Sequence, residues 1–507
     1  MKKNLTFWIV QIYLFLMLGV FPLYYQNGYY NMGDAKYEFF KISAMAMLGI
    51  LSVLFVFKNL SNVKINKYMI SMQDMAVCVY GISAVISFAV SSYRESVWIG
   101  SHEWYMGLFS QLLFVGIYFA VSRSDIKISW NMIILSFTGT IVFLIAYLHR
   151  FSIDPLGLYE GISEGYWLKF LGTIGNANWY SSYICVVLPV MIGIYVFLDK
   201  RIMALPVFLG VASAVTQNSD SVYVGMGLCA IFILWFSFEN PQSLLRCLET
   251  FLIALMAAKF TGFLQVSFPE KSIAVSAIST EITQGEITKY MFCVVLLLYA
   301  FLRLFVSEWE KLTDSLRYIR KIIFIFLGGL VLSILLLMWL VSTGKLVLAS
   351  GFLANIGYFQ FGDSWGSTRG IIWKYAVHIF REYSLKMKLF GCGPDALMWY
   401  SAEFYSTEVP AIWGDAVLTN VHNEWLNMLV NTGVIGAVSY LSIFIVSIIR
   451  GICHWKKNPL LLSFAAAVLG YMGHNFFCFQ QVVCTPLIFI IMGMAENEIV
   501  RTKEMRE

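Results

Sequence analysis

The chain has 507 residues, of which 59% are hydrophobic and only 13% are charged, and its formal net charge is +5. This balance excludes a soluble globular protein, because the chain has too few polar residues to cover its surface. A nucleic-acid-binding protein is also excluded, since the basic residues are scattered over many short segments. The composition indicates an all-α integral membrane protein with many spans.

A membrane-spanning helix needs about 20 mostly apolar residues. Hydropathy predicts about fourteen such runs along the chain. They lie near 5–25, 42–58, 75–92, 106–121, 130–148, 180–198, 203–216, 222–238, 248–265, 289–306, 322–341, 424–449, 460–477 and 483–496. The first run follows two lysines, as in a signal peptide. It lacks a small-x-small cleavage site, so we expect a retained helix.

Basic residues predict the orientation of these spans, because short cytoplasmic loops retain Lys and Arg. Lys2 and Lys3 place the N-terminus inside, and the even-numbered connections then fall inside too. These connections include "KNLSNVKINK", "SRSDIKIS" and "SEWEKLTDSLRYIRK", which carry many of the basic residues. We therefore expect a multi-pass protein of the cytoplasmic membrane with both termini in the cytoplasm.

One connection is far longer than the others. Residues 342–421 separate the spans 1–341 from the C-terminal spans and tail at 422–507, whereas helix connections usually have about 2–8 residues. The stretch from 367 to 380 shows a helical apolar stripe, and a second short helix is predicted near Pro394 after a glycine-rich break. We expect an ordered, partly helical loop on the extracytoplasmic face.

Several polar clusters fall on that same face in the predicted topology. They are "SSYRESVWIGSHEWYMG" at 91–107, "GTIGNANWYSS" at 172–182, "QNSDSVYVGMG" at 217–227, "GDSWGSTRGIIW" at 362–373 and "VHNEW" at 421–425. Their convergence predicts a site there. The nine cysteines show neither metal spacing nor a disulfide framework, so we expect no metal and no cofactor.

The same segments carry a family resemblance. The order "GTIGNANW", "NSDS", "STRGIIW", "LFGCGPD", "VHNEWLNMLVNTGVIG" and "GYMGHNFF" is similar to that of the bacterial O-antigen ligase and polysaccharide polymerase superfamily. The resemblance implies a glycosyltransferase of the membrane-embedded type C kind. It also implies a glycan donor linked to undecaprenyl diphosphate, a hydroxyl acceptor on a polysaccharide or lipid, inversion at the anomeric carbon and no metal.

Two residues stand out for this chemistry. A sugar diphosphate already has a good leaving group, so the enzyme must neutralise its charge and deprotonate the acceptor. Arg369, at a predicted helix start, is assigned to the diphosphate, and its alternative is an exposed surface charge. His422, predicted in the first turn of a helix capped by Asn420, is assigned as the neutral general base. Its alternative is a capping or interfacial residue.

The remaining site predictions are weaker. Substrate-binding residues are predicted at Asn176, Asn178, Asp220, Trp373, Asn423 and Glu424. Asn176 and Asn178 are as consistent with a helix cap or Asx turn as with substrate binding. Asp220 is also consistent with a turn residue. His102 and Glu103 are predicted either to contact the acceptor or to belong to an aromatic belt. His474 is expected to be a hydrogen-bonded interhelical residue.

The family pattern is not complete. Many of these ligases carry a basic "SR" pair where this chain has Asp220, so a second phosphate-binding arginine is absent there. Candidate substitutes are Arg94, Arg150, Lys169 and Arg381. Ligase and polymerase share these motifs and both remain open. A lipid-linked oligosaccharide flippase is the third possibility, disfavoured because the spans carry almost no charge, Lys259 being the main exception.

Overall fold

A computed structural model describes residues 5–60, 70–304, 313–347, 358–413 and 417–504. These residues are mostly helical, and they include one antiparallel pair of two-residue strands, β1 (Phe170–Leu171) and β2 (Gly175–Asn176). The pairing joins Phe170 to Asn176 and Leu171 to Gly175, which closes the turn that precedes a long helix. The expectation of a helical protein is therefore met.

A helix coincides with each of the fourteen predicted apolar runs. They are α1 (Leu5–Phe15, continued by the π-helical turn Leu16–Val20), α2 (Met32–Leu60), α3 (Met72–Val90), α5 (Leu108–Arg123), α6 (Ile128–His149), α7 (Ala177–Leu198), α8 (Ala204–Ala214), α9 (Ser221–Ser237), α10 (Pro241–Ser267), α12 (Glu286–Leu304), α13 (Thr313–Ser342), α18 (Glu424–His454), α19 (Leu460–His474) and α20 (Thr485–Glu504). Within the described chain, eight helices are long and apolar enough to cross a membrane. The total of fourteen spans stays a prediction.

Among the described residues, six further α-helices lie in the connections. They are α4 (Arg94–Ile99), α11 (Ala277–Gln284), α14 (Trp365–Glu382), α15 (Leu385–Phe390), α16 (Leu397–Phe404) and α17 (Glu408–Trp413). The last four belong to the long connection between α13 and α18. The apolar stripe predicted after residue 367 forms α14. The next predicted helix, α16, begins three residues beyond Pro394, because Gly393 and Asp395 hold left-handed backbone with φ of 130° and 63°.

The centre of the bundle is α7, which is buried along most of its length. It packs against α19 and α9, and glycines make this approach possible. A Cβ on Gly193 would lie 2.2 Å from Ser463 Oγ of α19, and one on Gly225 would lie 2.7 Å from the carbonyl oxygen of Gly470. Small residues at a helix interface let backbones approach closely, as they do in membrane bundles. The tight packing fixes the N-terminal ends of α7 and α9 relative to the C-terminal end of α19.

Several ion pairs lie at the end of the bundle opposite the N-terminal ends of α7 and α9. We call this end the basic end. Arg450 of α18 forms a bidentate pair with Glu496 of α20 at 2.7 Å, Arg320 of α13 pairs with Glu239 at 2.5 Å, and Arg123 of α5 pairs with Asp74. These groups lie in or beside connections that the sequence predicts to be cytoplasmic. The structure thus segregates them from the polar clusters, which lie at the other end.

The prediction that the spans carry almost no charge apart from Lys259 needs a correction. Helix α2 begins at Met32, ten residues before the predicted run, and so includes Lys36. This lysine is fully buried, and its Nζ donates to the carbonyl oxygens of Phe21 at 2.5 Å and Pro22 at 3.1 Å. Lys259, expected as the main exception, similarly donates to the carbonyls of Thr283 and Gly285. Both ammonium groups hold a backbone turn together.

A topology experiment checks the orientation. Reporter fusions near residues 160, 275 and 400 are expected to report an extracytoplasmic position, and fusions near 315 and 455 a cytoplasmic one, because Lys and Arg are retained inside. A cytoplasmic result at 400 contradicts the predicted orientation. It would also place His422 on the cytoplasmic side, away from the face on which the site is predicted.

Candidate active site

A cavity of about 750 Å³ lies at the end of the bundle opposite the basic end. The N-terminal ends of α7 and α9, the segment before α11 and the long connection form its walls. Its polar and aromatic lining includes Asn178, Asn218, Ser219, Asp220, Tyr223, Ser276, Tyr358, Trp365, Arg369 and Phe477. Three of the predicted polar clusters, those at 172–182, 217–227 and 362–373, meet here.

The two asparagines before α7 have different roles. Asn176 is the N-cap of α7, and its side-chain oxygen accepts a hydrogen bond from the backbone N–H of Asn178 at 2.8 Å. Asn178 lines the cavity, and its own side-chain oxygen accepts from the hydroxyl of Ser219 at 2.7 Å. Of the two residues, only Asn178 is positioned to contact a ligand, whereas Asn176 has the alternative capping role.

Asp220 links three separate segments at the cavity wall. Its carboxylate accepts hydrogen bonds from the Ser276 hydroxyl at 2.6 Å and from the Tyr358 phenol at 2.7 Å. It therefore ties the start of α9 to the segment before α11 and to the long connection. Tyr358 was not predicted as a site residue, since an isolated tyrosine in a long connection gives no sequence signal of this contact.

None of the candidate substitutes for the second arginine lines this cavity. Arg150 is only 1% exposed, and its guanidinium donates to the carbonyls of Trp167 and Gln217, both at 2.9 Å. Lys169 lies over the ring of Tyr166, with 5.0 Å from Nζ to the ring centre. Arg150 instead holds the backbone beside Asn218 and Ser219, so it shapes the cavity from behind.

Arg369 lies at the first regular turn of α14. The preceding residues 366–368 have positive φ values of 59°, 58° and 70°, which lie outside the right-handed helical region. This backbone is strained at Ser367 and Thr368, because residues with a side chain disfavour a positive φ. The guanidinium donates from Nε to the carbonyl of Phe477 at 3.2 Å and from Nη1 to that of Gly366 at 2.7 Å. Its Nη2 makes no hydrogen bond to the described residues. Burial lowers the pKa of Arg369 from its ordinary value.

The position of His422 differs from the predicted one. Helix α18 begins at Glu424 and its N-cap is Asn423, whose side chain accepts from the N–H of Leu426 at 3.0 Å. His422 precedes the cap with a left-handed φ of 49°. Asn420 accepts from the backbone N–H of His422 at 3.1 Å, so it forms a turn and does not cap the helix. The expected placement in the first helical turn is therefore wrong.

The imidazole of His422 is partly exposed and points its edge at the ring of Phe479, with 5.3 Å between ring centres. Neither ring nitrogen makes a hydrogen bond to the described residues. Burial, followed by the positive charge of nearby Arg369, lowers the pKa of His422 to about 4. The imidazole is thus neutral at physiological pH, as expected, and the causes are burial and the charge of Arg369.

The segment 475–479, between α19 and α20, supports both residues. Its Phe477 carbonyl holds Arg369, its Phe479 ring contacts His422, and its Asn475 carbonyl accepts the backbone N–H of Glu424 at 2.9 Å. We call this segment the platform. The sequence motif "GYMGHNFF" ends in it, but the motif gave no indication that this segment contacts His422 and Arg369.

Glu424 and Asn423 are not available to a substrate in this structure. Glu424 is 0% exposed, and its carboxylate accepts hydrogen bonds from Tyr440, Asn475 and Tyr471, the last at 3.2 Å. Asn423 is buried by its capping role. Both were predicted to bind substrate, and their positions support instead a role in fixing the start of α18 and hence the adjacent His422.

Trp373 lies in an aromatic cluster beside the cavity. Its ring centre is 5.3 Å from that of Trp365 and 6.0 Å from that of Phe477. Both of those residues line the cavity, whereas Trp373 packs behind them. Its predicted contact with substrate is therefore indirect in this structure, through the position of Trp365.

The cluster at 91–107 is directed elsewhere. The backbone N–H of Ser101 and the indole N–H of Trp104 donate to Asp395 in the long connection, at 2.7 and 3.0 Å. Burial raises the pKa of Asp395 to about 7. His102 and Glu103 are exposed and lie outside the cavity lining. This cluster anchors the connection to the bundle, so the expected convergence holds for only part of the set.

His474 at the end of α19 is fully buried, and its Nδ1 lies 2.8 Å from Oδ1 of Asn475. It lies against Gly225 of α9, so the expected interhelical position is confirmed, whereas its hydrogen bond is to the neighbouring residue and not to another helix. In the part of the chain that the structure describes, no three His, Cys, Asp or Glu side chains come together as metal ligands.

Comparison with known proteins found a match to one family model. Residues 273–441, about one third of the chain, match the family model described as O-antigen ligase. This match confirms the resemblance seen in the sequence, and the matched range contains both Arg369 and His422. No curated protein has significant sequence similarity to the chain.

Proposed function

We propose, from the O-antigen ligase match, that this protein transfers a glycan from an undecaprenyl-diphosphate-linked donor to an acceptor hydroxyl at the outer face of the cytoplasmic membrane. One observation carries the proposal. Arg369 and His422 both rest on the platform, beside a cavity of about 750 Å³ at the end of an apolar bundle. A cation in the cavity wall and a neutral imidazole, which is not part of the cavity lining, are therefore held by one segment.

In the proposed reaction, His422 accepts the proton of the acceptor hydroxyl while the hydroxyl oxygen attacks the anomeric carbon. The bond between this carbon and the diphosphate oxygen breaks, its electron pair leaves with the diphosphate, and the anomeric configuration inverts. Arg369 stabilises the negative charge that grows on the leaving diphosphate. The proton passes from His422 to solvent before the next turnover, so no metal or cofactor takes part.

The donor glycan is proposed to contact the part of the cavity wall that contains Asp220. Asp220 is an unfavourable neighbour for a diphosphate, because like charges repel. Carboxylate and amide groups are good acceptors and donors for sugar hydroxyls. We therefore assign Asp220 and Asn178, together with Tyr358, to the glycan, and Arg369 to the diphosphate.

A reconstituted assay tests this function. The purified protein in vesicles receives a defined lipid-linked donor, with or without a second hydroxyl acceptor. Transfer that requires the second acceptor supports a ligase. Chain growth with the donor alone supports the polymerase alternative, and movement of intact donor across the bilayer without transfer supports a flippase and overturns the proposal.

Chelation is expected to leave activity intact. Incubation with EDTA should not change the transfer rate, because the proposed charge stabilisation comes from Arg369 and not from a bound cation. Complete loss that is reversed by a divalent ion contradicts this mechanism. It would direct attention to the carboxylates Asp220, Asp363 and Asp395, and to Asp415, which lies outside the described residues.

A further inference from the structure

Helix α13 has a burial pattern unlike that of the helix before it. In α12, one face is less exposed at every turn, through Thr288, Phe292, Val295, Tyr299 and Leu302. In α13, residues 328–336 are exposed on every face, for about two and a half turns. Burial returns on both sides of this stretch. The middle of α13 therefore stands away from the bundle while both of its ends contact it.

The side of α13 that faces the bundle follows from helical spacing. Leu327 and Met338 are both partly buried, and Leu330 and Ile334 lie between them on the same face. Leu330 is 48% exposed and Ile334 is 41% exposed. These side chains would be covered if another helix packed there, so the gap is on the inner side of α13.

A matching stripe lies on α9. Val224, Leu228, Ile231 and Trp235 follow each other at intervals of four, three and four residues and so share one face. The stripe begins at the cavity of about 750 Å³ described above, called the active-site cavity below. Val224 of α9 and Met338 of α13 both line this cavity. Leu228 and Ile231 are each 37% exposed, and Leu228 also packs against α19, where a Cβ on Gly473 would lie 2.6 Å from its Cδ1.

Contacts close the gap at the basic end. The ring centre of Trp235 is 4.6 Å from that of Phe324 of α13, and the guanidinium of Arg320 lies over Trp235 at 4.3 Å. The gap between α9 and α13, called the window below, is therefore bounded by the cavity at one end and by this contact at the other. It extends about 16 Å along α9.

We propose that the window binds the polyprenyl chain of the lipid-linked donor, with its diphosphate at Arg369; this inference rests on the proposed function. The window begins at the wall of the cavity that contains Arg369. One donor molecule therefore reaches Arg369 with its diphosphate and the window with its polyprenyl chain. Its walls are apolar and it is open to the bilayer. A long hydrocarbon chain gains contacts there without leaving the membrane.

A second apolar cavity is a less suitable place for the chain. It has a volume of about 200 Å³, lies among α7, α8, α9 and α10, and borders the active-site cavity at Tyr223. A cavity of about 150 Å³ holds a molecule of the size of benzene. The inner cavity is thus too small for most of a long polyprenyl chain, whereas the window is open along its length.

Site-specific cross-linking tests the proposal without requiring transfer. A photoreactive phenylalanine is introduced at Leu228 or Ile334 in the window, at Ala230 in the inner cavity, or at Leu297, which is 70% exposed on α12. The full-length variants are illuminated in vesicles that contain long-chain polyprenyl diphosphate without glycan. We expect cross-linked polyprenyl diphosphate at the two window positions, reduced by excess unlabelled polyprenyl diphosphate but not by phospholipid.

Equal cross-linking at Leu297 overturns the proposal, because the window would then bind bilayer lipid like any other surface. Cross-linking only at Ala230 overturns it in favour of the inner cavity. Competed cross-linking at Leu228 in a protein that shows no transfer in the reconstituted assay would support the lipid site and reject the glycosyltransferase function. The two proposals are thus tested separately.

A chain-length experiment provides the second test. Leu228→Trp, which fills the window, should reduce transfer from a long-chain donor about tenfold. Transfer from a donor with a very short prenyl chain should stay near the wild-type rate, which also shows that the variant is folded. Leu297→Trp should leave both rates unchanged. Equal loss with both donors in Leu228→Trp contradicts chain binding in the window.

Discussion

Replacing His422 by alanine is expected to lower the transfer rate by roughly 100-fold to 10,000-fold, the usual contribution of a general base. The imidazole is partly exposed and its nitrogens make no hydrogen bond to the described residues, so they are free to accept a proton. Donor binding should change little, since Arg369 and not His422 is assigned to the diphosphate. The measurement is the single-turnover rate with saturating donor, together with the donor dissociation constant.

The variant His422→Asn distinguishes a base from a structural residue. Asparagine adopts left-handed backbone more readily than most residues, so it tolerates the φ of 49° at this position. It cannot take up the proton, so it should be nearly as inactive as the alanine variant. Wild-type rates in His422→Asn would show that the residue is structural and that the base lies elsewhere.

The pH profile gives an independent check. Burial and Arg369 lower the pKa of His422 to about 4 in the free protein, so the acid limb of kcat/KM should lie near that value. Below it the imidazole is protonated and cannot act as a base. Bound donor brings negative charge, which raises the pKa of the histidine, so the acid limb of kcat should lie at higher pH. Both limbs should disappear in His422→Asn.

Arg369→Lys is expected to lower kcat/KM about 100-fold, comparable to the loss of one donor that stabilises a transition state. Lysine keeps the charge, but it lacks the planar fork by which Arg369 bonds to the carbonyls of Phe477 and Gly366 through Nε and Nη1 and leaves Nη2 for a phosphate. The measurement is kcat/KM with lipid-linked donor. Near-normal turnover would return Arg369 to the status of a surface charge.

Arg381 provides the matched control for this variant. It lies at the other end of the same helix, α14, and is exposed. Arg381→Lys should leave kcat/KM unchanged. Arg369→Gln adds a second readout, because it removes the positive charge that lowers the pKa of His422. The acid limb of kcat/KM should therefore move to higher pH in Arg369→Gln and stay in place in Arg381→Lys.

Much of the helical architecture was accessible from the sequence. The runs that became α3, α5, α6 and α7 were predicted to within a few residues, because bilayer thickness fixes the length of an apolar helix. The start of α2 was missed by ten residues. A buried lysine interrupts the hydropathy of its first turns, and only the carbonyls of Phe21 and Pro22, in another segment, satisfy it.

The candidate site, like the fold, was only partly predictable from the sequence. The sequence by itself indicated the family, since this depends on local motifs, and it predicted Arg369 and a neutral His422 as site residues, which stays a prediction. Only the tertiary structure decided that Glu424 is buried, that Asn176 caps a helix and that Tyr358 and Phe477 of the platform line the cavity. Hydropathy records which residues avoid water, but the meeting of α7, α9, α19 and the long connection depends on side-chain packing between segments hundreds of residues apart.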